Sequence, residues 1–141
     1  MHACHPHRRR LPPWGLVALA WAGLSALPPA AAQAPACQAL PRGTKSLVAT
    51  CTLPAGTARP WRFRAHFEGS HDDSEVTIDS AVLDGRPLAC ADGSKTASRF
   101  EDGDVTLDCG FTAPAGAAAR RLVVTLSLHH LQLDRTELQA D

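Results

Sequence analysis

The densest group of chemically capable side chains in this sequence is Glu68-Gly69-Ser70-His71-Asp72-Asp73-Ser74-Glu75. Its carboxylates and imidazole could gather oxygen ligands for Ca²⁺, for which extracytoplasmic modules need a Kd only on the order of 10⁻⁴ to 10⁻³ M. The spacing is not that of an EF-hand loop, and a solvated acidic turn or a surface for a protein partner are the competing readings. A tight reversal needs only about two to five residues of turn chemistry, and this segment carries charge beyond that need. Glu68, His71, Asp72, Asp73 and Glu75 are therefore the candidate binding residues. A second acidic stretch, Glu101-Asp102-Gly103-Asp104, would form an acidic pole with the first if the two loops met at one end of the fold.

Histidine offers a different chemistry, because imidazole suits zinc and copper. Apart from His2, His5 and His7 near the start, the histidines are His66, His71, His129 and His130. Adjacent residues of a strand point to opposite faces, so His129 and His130 share a metal only if a bulge realigns them. A site joining one of that pair to His66 or His71 stands beside the plainer reading of surface histidines.

Catalysis finds no such foothold. The sequence has no G-x-S-x-G, H-E-x-x-H or C-x-x-C, the usual marks of an activated nucleophile or a bound metal. Asp92-Gly93-Ser94-Lys95-Thr96 ends like a phosphate loop but lacks the earlier glycine, and reads as a turn. Aromatic residues are only 5% of the chain, and Trp61, Phe63 and Phe67 share one expected core face, which leaves little for stacking on sugars. No basic amphipathic segment suggests a membrane surface.

The start of the chain defines its compartment. Arg8, Arg9 and Arg10 precede the apolar run Gly15 to Leu27, and Ala30-Ala31-Ala32 follows, the three-part pattern of a secretory signal. The run is about 13 residues, short of the roughly 20 that cross a bilayer, so cleavage after Ala32 and no later membrane insertion are expected. A lipid-modified Cys37 is the alternative, poorly served by Pro35. Setting the three signal arginines aside leaves 11 basic residues against 14 acidic ones, about −3, which argues against a nucleic-acid partner. The scarcity of Lys, Ile, Tyr and Asn beside abundant Ala, Arg, Pro and Gly suggests a GC-rich bacterial genome. Loss of Cys4 with the signal leaves Cys37, Cys51, Cys90 and Cys109, an even set that an oxidising compartment would pair. Short loops close most easily, which favours Cys37 with Cys51 and Cys90 with Cys109.

Alternation of apolar and polar residues supplies the elements. Leu47, Ala49, Cys51 and Leu53 mark one face of a strand over 46–53, and Trp61, Phe63, Ala65 and Phe67 one face of another over 61–68. A third runs from Glu75 to Leu83. Asp84-Gly85 is a hairpin turn, and Arg86 to Cys90 is the return, at a sheet edge because Pro87 cannot donate to a ladder. Val105, Leu107, Cys109 and Phe111 face inward from another strand, as do Leu122, Val124, Leu126 and Leu128. The odd-numbered Leu131 and Leu133 break that phase, which requires a bulge or a tight turn near His129 and His130. Residues 33–44 and 91–103 are expected to be irregular, with Phe100 anchoring the second. The tail from Leu131 is a last strand or a short helix.

Six to seven short strands in about 109 residues predict an all-β fold, a small antiparallel β-sandwich with two disulfides. The order Cys51, Trp61, Cys109 resembles that of immunoglobulin-like domains, although Leu107 stands where their Tyr would be; the resemblance implies that topology and a Cys51–Cys109 bridge. The functional expectation is a non-catalytic, periplasmic or secreted binding module that meets an envelope or extracellular protein through its loops. It needs no cofactor, unless calcium or a transition metal binds the 68–75 loop.

Overall fold

Strict period-two alternation dictates strands with one wet and one dry face, and strands are what form. The computed structural model describes residues 35–99 and 103–141, so the signal segment 1–32, Phe100 and the Glu101-Asp102 pair lie outside the described residues. Nine strands follow in order: β1 (Ala36–Pro41), β2 (Ser46–Leu53), β3 (Arg59–Gly69), β4 (Ser74–Leu83), β5 (Arg86–Pro87), β6 (Thr96–Arg99), β7 (Gly103–Ala113), β8 (Arg120–His129) and β9 (Leu131–Ala140). They build two antiparallel sheets. The larger runs β1-β2-β8-β4-β5, with β6 also paired to β4, and the smaller runs β7-β3-β9.

Both inner faces contribute to one hydrophobic core. Leu47, Ala49, Cys51 and Leu53 enter it from β2, Leu122, Val124 and Leu126 from β8, and Trp61, Phe63, Ala65 and Phe67 from β3. The inward residues of β7 are Val105, Leu107, Cys109 and Phe111, as their spacing predicted. Each large side chain so buried contributes about 1.5–3 kcal/mol of transfer free energy.

Of the two expected ways to absorb the phase break near His129 and His130, the chain takes the tight turn. Between β8 and β9 no bulge absorbs the odd residue. His129 still pairs with Glu75 in the larger sheet, Leu131 already pairs with Gly69 in the smaller one, and His130 alone makes the crossing. Its left-handed backbone, φ 51°, is the corner. True bulges lie elsewhere: Asp79 is the extra residue of β4, which moves burial from Val76 and Ile78 to Ala81 and Leu83, and Asp134 is the extra residue of β9.

Three stretches gain or lose structure relative to the sequence reading. Part of 33–44 forms β1, paired along its whole length with β2, and part of 91–103 forms β6. Neither has strong alternation, and partner strands rather than intrinsic pattern draw them in. The return after the Asp84-Gly85 turn shrinks to Arg86–Pro87, at the edge as Pro87 requires. The turn itself has φ of 49° and 79° at Asp84 and Gly85, the left-handed pair that a two-residue hairpin demands. The tail is a strand, not a helix.

The cysteines pair Cys37 with Cys51 and Cys90 with Cys109. Cys37 lies opposite Cys51 in the β1–β2 register, so that bridge fastens an edge strand. Cys90, buried just beyond β5, ties the larger sheet to β7 of the smaller one. The immunoglobulin-like Cys51–Cys109 bridge is absent, since each partner is already taken. With β5 and β6 set aside, the seven remaining strands run first-second-sixth-fourth and fifth-third-seventh, whereas an immunoglobulin domain places the fifth strand beside the second.

Candidate metal site at the sheet-crossing corner

The strand directions bring three connections to one end of the sandwich: the turn after β1, the 70–73 turn between β3 and β4, and the β8–β9 corner, with the end of β6 and the start of β7 beside them. At this end Gly69 faces Gly103, and a Cβ on Gly69 would stand 2.5 Å from the Gly103 carbonyl oxygen and 3.0 Å from Ser74 Oγ. That close approach seats the 70–73 turn against the corner.

Serine hydroxyls then pin the corner. Ser74 is the one buried polar residue among those described, and its Oγ lies 2.8 Å from the His71 carbonyl and 3.0 Å from the His130 carbonyl. Its single proton serves one of them at a time. The Ser70 N–H donates to the His130 carbonyl at 3.2 Å. A carbonyl held this way fixes the direction of the His130 side chain.

The left-handed turn at His130 is what defeats the alternation rule. Instead of pointing to opposite faces, the His129 and His130 rings lie side by side with centroids 4.0 Å apart. Asp73 reaches across from the other loop and accepts from both: His130 Nδ1 to Oδ1 at 2.7 Å and His129 Nε2 to Oδ2 at 3.2 Å. These bonds, that from His130 first, hold the Asp73 carboxyl below the usual carboxylate range, against a small opposing effect of desolvation. The His71 ring also packs against His130, its centroid 4.1 Å away and its plane tilted by 30°, and its Nδ1 is 2.8 Å from Ser70 Oγ.

Asp73, His129 and His130 thus present one ligand atom each, all within 4.8 Å of one another. Across a tetrahedral ion with bonds of 2.0–2.1 Å, ligand atoms stand roughly 3.3 Å apart. The Asp73 oxygens already stand 2.7 and 3.2 Å from the imidazole nitrogens they accept from. An open groove of about 480 Å³ runs beside them, with Lys45, Glu68, Ser70 and Gln132 among its walls.

Of the residues singled out in the sequence, His71 and Asp73 therefore meet at this corner. Glu68 borders the groove, while Asp72 and Glu75 join no group of three potential ligands among the described residues. Glu75 accepts instead from the Thr77 hydroxyl at 3.5 Å. His66 is remote, on the outer face of the smaller sheet, with Nδ1 3.1 Å from Thr106 Oγ1 and Nε2 3.5 Å from Glu137. Sequence reasoning let His129 and His130 share a metal only through a bulge; a left-handed corner unites them instead, which nothing in two adjacent histidines announces.

Compared with protein-family models, with curated proteins and with solved structures, the chain matches none.

Proposed function

We propose that this protein is an exported, non-catalytic binding module that holds a transition-metal ion of the zinc or copper class at the β8–β9 corner. Asp73, His129 and His130 are its ligands, and His71 packs the site. The observation that carries the reading is the convergence of three ligand atoms from two loops within 4.8 Å. Two imidazoles and one carboxylate favour a borderline metal over calcium, which takes six to eight oxygens. On binding, the ion takes the place of the protons that the imidazoles now share with Asp73. Binding rather than catalysis is favoured by exposure: the His129, His130 and Asp73 side chains are 52%, 40% and 63% exposed. A catalytic ion works in a dry, shaped cavity.

The two disulfides fit an oxidising, extracytoplasmic compartment. We assign the chain to the periplasm or the secreted fraction, after cleavage of the leader. An envelope protein meeting this end of the sandwich would supply the open fourth position of the ion.

Calorimetric titration with zinc and with calcium tests the proposal. Zinc should bind once per chain, with affinity falling at least about tenfold in His130→Ala. Calcium should bind weakly or not at all. Zinc binding that His129→Ala and His130→Ala leave unchanged would refute it.

A further inference from the structure

The opposite end of the sandwich is rich in arginine. Arg59, Arg86, Arg120 and Arg121 cluster there at the ends of β3, β5 and β8. Among the described residues none of the four forms an ion pair. Of the acids at that end, Asp141 pairs with Arg62, while Asp84 Oδ1 accepts the Arg121 backbone N–H at 2.8 Å and keeps its charge at the groove's edge. Arg59 lies over the Trp61 ring at 4.3 Å.

Arg120 is the least satisfied of them. It is half-buried, its Nε is shielded from water without an acceptor, and it lies across Gly116, where a Cβ would come within 3.1 Å of that nitrogen. A guanidinium stripped of part of its hydration and left without a counter-charge is costly, and a bound anion would offset the cost. Arg120 and Arg86 both border an open groove of about 720 Å³. Apart from these arginines and Asp84 its walls are mostly apolar, with Leu83, Leu88, Pro114 and Ala117 among them. The volume falls within the about 300–1,000 Å³ of small-molecule sites.

We propose that this groove binds an amphiphile with a phosphate head: the acyl chain lies on the apolar wall, and the head is held between Arg86 and Arg120. The guanidinium fork matches the geometry of phosphate oxygens, and the apolar wall explains why the site is a groove and not a bare cationic patch. The site lies at the far end from the metal ligands and does not depend on them.

Titrations of the purified protein with decyl phosphate, inorganic phosphate and decyl maltoside, each below its micelle concentration, test this. Decyl phosphate should bind, inorganic phosphate should bind at least about tenfold more weakly, and the uncharged maltoside should not bind. Arg120→Gln and Arg86→Gln should each weaken decyl phosphate about tenfold, and Arg86, which is exposed, keeps the test available if the Arg120 variant misfolds. Equal affinity for inorganic phosphate, equal affinity for the maltoside, unaltered affinity in both variants, or binding to anionic vesicles without binding of the monomer would each overturn the proposal.

Discussion

Asp73 and His130 stand 57 residues apart in sequence, yet the Asp73 Oδ1 and His130 Nδ1 atoms are 2.7 Å apart. The bond joins the β3–β4 turn to His130, the one residue between β8 of the larger sheet and β9 of the smaller. Anything that binds both groups also braces the two sheets against each other at that end. Zinc at a concentration well above its Kd should therefore raise the melting temperature, through preferential binding to the folded state. The increase should disappear in His129→Ala with His130→Ala, followed by circular dichroism.

Acid should act on the same bond. The Asp73 carboxyl is held low by its hydrogen bonds from His130 and His129, so its contribution to stability is present above the ordinary carboxylate pKa of about 3.9 and is lost as pH falls below that value toward the lowered one. Asp141 and Glu137, held low by Arg62 and Arg135, act in the same direction. Urea midpoints should therefore fall between about pH 4 and pH 2, and Asp73→Asn should flatten part of that slope. Zinc affinity should also weaken on acidification, because an imidazole must be deprotonated to ligate.

Much of the framework was legible in the residues. The inward faces of β2, β3, β7 and β8 follow from strict alternation, and both disulfides follow from loop length. Period-two reasoning cannot follow a chain that shifts phase. The extra residues at Asp79 and Asp134 exist only relative to partner strands, and β1 and β6 are strands chiefly because β2 and β4 offer them open edges. The corner at His130 needs a left-handed non-glycine residue, which propensity disfavours. The site was accordingly legible as a loop, Gly69 to Ser74, and as a pairing of one of His129 and His130 with His71, but not as Asp73 of that loop meeting both histidines.

The inward face of β3 admits a direct stability test. Phe63 is 1% exposed, so Phe63→Ala should cost about 3–5 kcal/mol in urea melts. Arg62 faces outward, bonded to Asp108 and Asp141, and Arg62→Ala should cost far less. Similar losses for both would contradict the assignment of faces.

The two bridges should differ in what they protect. A disulfide closing a loop of about 15 residues contributes about 3 kcal/mol, so replacing either pair with serine should lower the urea midpoint. Loss of Cys90–Cys109, which links the sheets, should loosen the packing of both. Loss of Cys37–Cys51 should release mainly β1. Hydrogen exchange distinguishes the two: β1 amides alone should gain exchange in the Cys37→Ser, Cys51→Ser protein.

The most direct test of the metal site is nuclear magnetic resonance of the imidazole side chains during titration with zinc. With equimolar zinc the His129 and His130 ring signals should move together, the His71 ring packed on them should follow, and His66 on the outer face of β3 should stay in place. Ring signals that all stay fixed, or a His66 ring that moves as far as His129 and His130, would contradict the metal-site proposal.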